Sequence, residues 1–380
     1  MTLRVQLVPR LELIEAAEWD ALAGQDDPFI EHAFLLALEQ SGCVGGGSGW
    51  LPSHVAVRDE GRLVGALPLY VKLHSYGEYI FDWSWASSAE RAGLPYYPKL
   101  VSMVPFTPAT GKRVLWAHDR DPGPIVAALL EGVFAARDQV AASSMHFLFV
   151  SEQERDLLLA QRELMPRESI QFHWHNENFE SFDDYLGRFR SALRKQVRRE
   201  RKQVAESGLE LRVLEGPELS DTDWRALFAF YVDTCRKRGS GPYLTRRFFE
   251  LIRKSHAQRV VAVIAYRAGK PVAGTFNFQK GKNLYGRYWG CSEDHPSLHF
   301  ECCYYRLIER AIEMRLERFE AGAQGAHKLR RGLLPTIIHS VHHIEHPALR
   351  RALEEYLPRE LSAVRGELAE LSEHGPFRRD

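Results

Sequence analysis

An internal echo limits how this chain can fold more than any other feature. Residues 56–70 read AVRDEGRLVGALPLY, and residues 265–278 read AYRAGKPVAGTFNF. Each stretch has an apolar run ending in a basic residue, a turn closed by glycine, a second basic residue, and another apolar run holding a second glycine. Short apolar runs joined by a tight glycine turn read as a β-hairpin. Gly61 and Gly65 match Gly269 and Gly274 with a one-residue shift. Each hairpin is followed by an aromatic run, YGEYIFDWSWA (76–86) and YGRYWGCSE (285–293), which the same reading makes a strand. The same order recurring roughly 208 residues apart predicts a tandem duplication.

A length of 380 residues exceeds what one ordinary core supports and agrees with two domains. The expected division is 1–165 and 166–380, the second carrying a basic helix at 186–204 and a charged, helical C-terminal tail (347–373). Lys plus Arg and Asp plus Glu number 50 each, so no global field draws the chain onto nucleic acid or membrane, and anion binding must come from local clusters. Five cysteines without framework spacing, Cys302 and Cys303 adjacent, suit a reducing compartment. Charges interrupt the N-terminal stretch, and no run reaches the ~18 apolar residues of a membrane span. The expected location is cytoplasmic.

In the second half, VVAVIAYR (260–267), VAGTFNFQ (272–279) and NLYGRYWGCSE (283–293) read as antiparallel neighbours joined by short turns. HFECCYYRLIERAIEMRL comes next, with Tyr304, Leu307, Ile308, Ala311 and Ile312 at helical spacing. A strand, RFEAGA, then leads into a glycine-rich turn. This is a mixed α/β layer whose helix starts at the open end of the central strands, a common ligand position. Before it, residues 188–202 hold eight basic residues and one acid, Glu200. Leu186, Phe189, Leu193 and Val197 give that segment an apolar stripe. Its outer face is either a plain solvated surface or a contact for a polyanion, Arg194 and Arg198 included.

The pieces SGCVGGGSGWLPSHVAV, HSYGEYIFDWSWA, YYPKLVSMVPFTPATGKRVL, QFHWHN, PYLTRRFF, LYGRYWGC, LHFECCYY and EAGAQGAHKLRRG closely resemble a bacterial family, the FemAB-like proteins of peptidoglycan biosynthesis or recognition, N-acyltransferases of the GNAT superfamily. The resemblance runs from Pro28 to Phe377. It implies two tandem GNAT-like (acyl-CoA N-acyltransferase) folds of mixed α+β layers, with the better-formed acyl-donor site in the second half. Acetyl-CoA-binding members of the superfamily carry a glycine turn before the central helix. Here that stretch is CSEDHPSLHFE, with no glycine, which puts the usual pyrophosphate seat in doubt. The Fem-type transferases, which take their acyl group from aminoacyl-tRNA, look nearer.

Acyl transfer to an amine needs a base, N–H donors for the oxyanion, and an acid or cation for the leaving group. Glu301 at the helix start, His299 before it and Glu320 on the adjacent strand are the candidate bases. Tyr288, with Tyr285, Tyr304 and Tyr305, is a candidate acid, and the backbone near Trp289 and Gly290 a candidate oxyanion donor. In FEAGAQGAHKLRRG (319–332), Gln324, Gly325, His327, Lys328, Arg330 and Arg331 suggest an anion seat, with Arg287 and Trp289 beside it. Each has a plainer reading: Glu301 complements the helix dipole, the tyrosines pack, and the cations are solvated. HSVHHIEH sets His339, His342, His343 and His346 on one face if helical, more a pocket wall than a zinc site. Cys302 and Cys303 read as buried small residues.

The expected activity is therefore N-acyl or aminoacyl transfer to an amine acceptor, a peptide or small molecule, by direct attack. No metal or permanently bound cofactor is expected, and aminoacyl-tRNA or acyl-CoA would be the co-substrate. The alternatives are an acyl-CoA-dependent N-acetyltransferase and a non-catalytic binder of a cell-wall precursor or nucleic acid.

Overall fold

The computed structural model describes residues 2–322 and 325–378, so the expectation at Gln324 lies outside the described residues. The first strands are β1 (Leu3–Val8), β2 (Trp50–Pro52), β3 (His54–Asp59), β4 (Arg62–Leu67), β5 (Tyr70–Lys72), β6 (Lys99–Ser102), β7 (Leu115–Trp116) and β8 (Ser144–Val150). Among them lie helices α1 (Ala16–Ala23), α2 (His32–Gln40), α3 (Trp83–Arg91), α4 (Pro122–Val140) and α5 (Glu152–Gln161). Then come β9 (Met165–His175), α6 (Phe182–Gly187), α7 (Ser191–Ala205), β10 (Glu210–Glu215), α8 (Asp221–Lys237) and α9 (Arg246–Ser255). The chain continues through β11 (Val260–Arg267), β12 (Lys270–Lys280), β13 (Asn283–Cys291), α10 (Leu298–Phe300), α11 (Arg306–Glu313) and β14 (Arg318–Glu320). It closes with β15 (Leu334–Ile344) and α12 (Pro347–Glu373).

Two compact units result, residues 1–170 with 337–367 and residues 171–336 with 368–380. They are not the contiguous halves the sequence suggested. Residues 339–344 of β15 pair with β8, Val341 opposite Phe147 and His342 opposite His146, and this pairing returns the chain to the first unit.

The two hairpins share their turn chemistry. Glu60 and Gly61 have φ of 50° and 88°, and Ala268 and Gly269 have φ of 48° and 74°. Positive φ at both central residues matches the twist of the flanking strands. Each hairpin also carries a bulge, between Val57 and Arg58 in one and between Ala265 and Tyr266 in the other. The strand orders also agree in part: β1-β3-β4-β7 is a complete four-stranded sheet, and β10-β11-β12-β13 is the first run of an 11-stranded sheet. The fold is of mixed α/β type, and the repeated hairpin and strand order fit the tandem arrangement that the echo predicts.

The echo breaks in two places. The one-residue shift between Gly65 and Gly274 reverses the face each presents. A Cβ on Gly65 would meet Ile125 of α4 at 2.5 Å, whereas one on Gly274 would meet Leu227 of α8 at 3.0 Å. Nor is 76–86 a strand: it is a loop running into α3. Its acids are drawn to two lysines with fully buried side chains. Lys99 Nζ donates to Glu78 Oε2 (2.8 Å), Ser75 Oγ (2.9 Å) and Asp82, and Lys72 Nζ lies 3.8 Å from Glu78 Oε1. HSVHHIEH is likewise no helix. Residues through Ile344 are β15, and His342 Nδ1 meets His146 Nδ1 at 2.7 Å inside the sheet.

Candidate active site

The site grows from a parting of strands in the second unit. β13 pairs in parallel with β14 only at Asn283–Arg318, Leu284–Phe319 and Tyr285–Glu320. On its other edge it stays paired with β12 as far as Cys291. From Gly286 onward, one edge of β13 therefore has no β14 partner. A bulge falls inside this stretch, since Asn277 faces Gly286 while Phe276 faces Tyr288. The extra residue, Arg287, resets which side chains point to which face.

Tyr288 consequently packs edge-on against Tyr231 of α8, with ring centroids 4.6 Å apart, and its hydroxyl accepts a bond from Arg287 at 3.1 Å. Trp289 turns to the opposite face, 5.4 Å from the His299 ring. Gly290 is where α8 crosses closest, for a Cβ there would lie 2.2 Å from the Phe230 carbonyl oxygen. Thr234 Oγ1 donates to the Trp289 carbonyl at 2.7 Å and fixes the crossing. Tyr288 therefore stands apart from the residues grouped around His299.

Around His299 gather Trp289, Phe300, Tyr304 and His327, with ring centroids 5.4 to 6.0 Å away. Helix α10 continues through a π-helical turn (Glu301–Tyr305) into α11. The wide turn places Tyr304 so that its hydroxyl meets His327 Nε2 at 2.9 Å. His327 and Lys328 come from a 3-10 turn, Ala326–Arg331. Lys328 is 3% exposed, and its Nζ donates to the Gly322 carbonyl at 2.7 Å. Burial brings the Lys328 amine down to about 8, with Arg238 adding to that effect. Burial, then His327, Arg331, Arg238 and Lys328, pushes the His299 imidazole down to about 4. Among the described residues, none of His299, His327, Lys328 and Arg238 makes an ion pair with a carboxylate. The buried cation of this aromatic-walled group is Lys328, since burial pushes both histidines towards their neutral form and Arg238 is exposed.

Other expected site residues are engaged elsewhere. The Glu301 carboxylate, 3% exposed, is held by Arg201 (3.2 Å) and Arg306 (3.2 Å), and although burial raises its pKa, both guanidiniums oppose that rise. Both guanidiniums lie on one oxygen, Oε1, with Arg201 hydrogen-bonded to it, while Oε2 is buried with no hydrogen-bond partner among the described residues. Arg331 is equally committed, its Nη2 reaching both oxygens of Glu200 at 2.9 and 3.0 Å. Arg330 donates to Gln196 at 2.9 Å. Glu320 lies buried where β14 ends, 3.4 Å from Arg318 and 3.8 Å from His173. Gly325 takes φ 116°, where a Cβ would strike the His327 ring at 2.4 Å, so glycine there lets the turn fold back. Arg198 is exposed on α7, 3.7 Å from Asp183, and Arg194 is half-buried on the same helix. Cys302 is buried and Cys303 half-buried, and burial raises both thiol pKa values, which works against their acting as nucleophiles.

Four N–H groups of the stretch before α10 are taken by backbone carbonyls: Ser292 by Val272, Leu298 by His295, and Phe300 and Glu301 by Ser297. Glu293 and Asp294 add negative charge there. The absence of glycine from CSEDHPSLHFE thus has a physical counterpart. Sequence reasoning missed Arg238, which comes after α8 in the run RKRG, and it missed Glu200, whose lone acidity in a basic helix was the available signal.

A family model described as peptidoglycan biosynthesis/recognition matches residues 10–379. The chain belongs to the FemAB-like family. Among solved structures it is similar to FemX, with TM-score 0.55 at 11% identity over 90% of this chain and 98% of that one. A conserved protein of unknown function from Bacteroides thetaiotaomicron VPI-5482 aligns with TM-score 0.54 at 13% identity, over 90% of this chain and 100% of its own. L-PGS from Bacillus licheniformis aligns with TM-score 0.51 at 10% identity, over 91% and 97%. At such identities the likeness establishes the shared fold. No curated protein matches the chain. No helix among the described residues is long and apolar enough to cross a membrane.

Proposed function

We propose that this FemAB-like chain is an N-acyltransferase of the aminoacyl kind, acting where β13 leaves β14. The reading is carried by the edge of β13 that β14 leaves open, beside a cationic cluster that no carboxylate among the described residues neutralises. A neutral acyl ester enters along the edge, and backbone N–H groups of 286–291 take the carbonyl oxygen as it gains charge. The acceptor amine attacks the carbonyl carbon. A C–N bond forms, the C–O bond to the carrier breaks, and the ammonium proton leaves. His299, neutral at pH 7, takes that proton, and a bound anion raises its basicity by offsetting Arg331 and Lys328. Lys328, beside the Tyr304–His327 pair, gives a proton to the departing oxygen, which leaves as the carrier's hydroxyl, and the proton on His299 then restores the Lys328 ammonium.

The carrier in this reading is aminoacyl-tRNA. Its phosphates lie on the outer face of α7 at Arg194 and Arg198, while the turn that would hold a CoA pyrophosphate has no glycine and carries Glu293 and Asp294. The acceptor is a peptide amine of a cell-wall precursor, in keeping with the family's description. Binding of deacylated tRNA should weaken linearly in log salt, and Arg194→Glu with Arg198→Glu should lower that slope by about 2. Micromolar binding of acyl-CoA by calorimetry, with salt-independent tRNA binding, would replace this reading with the CoA-dependent one.

A further inference from the structure

Helix α7 does more than present arginines to solvent. Its inward side reaches the 326–331 turn and the helical segments from Ser297 to Glu309. Gln196 accepts from Arg330 (2.9 Å) and donates to Glu200 (2.7 Å). Arg201 reaches Glu301 (3.2 Å) and Glu309 (3.0 Å). Gln203 accepts from Ser297 (3.0 Å), just before α10. Glu200 is the hub, for it takes the Tyr305 hydroxyl from the π-helical turn and both bonds from Arg331. Arg331 in turn donates to the His327 carbonyl (2.9 Å) and lies 3.3 Å from the centre of the Phe300 ring.

We infer that Glu200 is a positioning residue for the acyl-transfer site, clamping the 326–331 turn so that His327 and Lys328 face the edge of β13. The inference rests on the function proposed above only for its turnover arm. Its logic is one of charge. A helix whose outer side is basic keeps a single buried acid, and that acid is spent on an arginine three residues from Lys328, the buried amine of the cluster. Without Glu200, the Arg331 guanidinium loses its anion and competes for whatever anion the site takes. The turn then loses its anchor to α7, although the outer face of the helix is unchanged. Docking of the carrier and chemistry at the site are thereby separable: Arg198 serves the first, and Glu200 the second.

The test compares Glu200→Gln, Glu200→Asp and Arg198→Glu, with Glu200→Gln plus Arg331→Met as a variant that removes both buried charges and folds even where the single change does not. Two readouts are taken, the NMR titrations of His299 and His327 in the free protein, and steady-state turnover with aminoacyl-tRNA and a lysine-containing peptide. Glu200→Gln is expected to move both histidine titrations and to lower kcat by roughly ten-fold or more with KM for tRNA within about two-fold. Glu200→Asp should restore part of kcat, and the double variant should stay folded yet equally slow. Arg198→Glu should raise KM and leave the titrations alone. Wild-type titrations together with wild-type kcat in a folded Glu200→Gln or double variant would overturn the clamp. A wild-type chain without turnover would instead sink the proposed function, and the titrations would still decide the clamp.

Discussion

The two units surround a buried lysine in different ways. In the first, Lys72 and Lys99 are countered by Glu78 and Asp82, with the Tyr96 hydroxyl donating to Asp82 at 2.6 Å. Four buried charges sum to zero, and the loop that carries the acids is folded over the ends of β5 and β6. In the second, Lys328 is buried too, and no carboxylate among the described residues answers it. The units share a hairpin and the strand order around it, so the contrast lies beyond the hairpins. A neutral cluster holds structure; an unbalanced one is a standing demand for an anion. The unit whose β13 runs nine residues and outlasts its neighbour carries the demand. The unit whose counterpart, β7, has two residues does not.

The largest effect separates the units by sign. Lys99→Met strands Glu78 and Asp82 in the interior and should cost about 3–5 kcal/mol in chemical denaturation, the penalty for leaving a buried charge unanswered. Lys328→Met removes a charge that was already unanswered and should stabilise the chain by about 1–3 kcal/mol at pH 7. It should also abolish tRNA-dependent turnover, since stability is gained where function is lost. Destabilisation of similar size by both changes would erase the contrast.

The pH dependence sharpens the same point. With its pKa brought down to about 8 from 10.5, Lys328 in the folded chain releases a proton that the unfolded chain keeps between those values. Folding stability should therefore rise with pH across that window, by at most about 1.4 kcal/mol per unit, the full penalty standing below pH 8 and gone above 10.5. His299, brought down to about 4 from 6.5, adds a rise of the same sign between those values. Lys328→Met should remove its own share of the alkaline rise, leaving that of Lys72, whose amine burial brings down to about 7, and His299→Asn should remove its share of the acid one, leaving that of His146, each read from urea midpoints against pH. An unchanged alkaline slope in Lys328→Met would show that the amine is hydrated.

What the residues disclosed and what they withheld divide along the range of the interactions. The hairpin turns, the strands of the second half and the amphipathic helix after them are local, and the periods of Val260–Arg267 and of Leu307, Ile308, Ala311 and Ile312 were enough to place them. His339, His342 and His343 misled because spacings of three and four suit a helix face as well as a strand run, and the pairing of β15 with β8 that decides it lies nearly 200 residues away in sequence. Within the site, His327, Lys328 and Trp289 were legible as a cationic, aromatic neighbourhood. That Arg331 and Glu301 are consumed by Glu200 and Arg201 was not, for composition shows which charges exist and only the fold shows which are cancelled.

The smallest effect tests what the units have in common. Gly61 and Gly269 occupy the second position of matching turns, at φ 88° and 74°, and a Cβ at either meets nothing within 4 Å. With no clash to relieve, the cost of Gly61→Ala and Gly269→Ala is the backbone strain of an alanine at positive φ alone, about 1 kcal/mol each. Equal costs in thermal denaturation are expected, and additive ones in the double variant, because turns in separate units share no partner. A Gly269→Ala cost several times that of Gly61→Ala would mean that the second turn reports on more than its own geometry. The strands it joins, β11 and β12, carry the sheet on which β13 is laid, so strain there would reach the edge where the acyl group is proposed to lie. Equal costs would confine the difference between the units to the segments beyond the hairpins, where the buried charges are balanced in one and left open in the other.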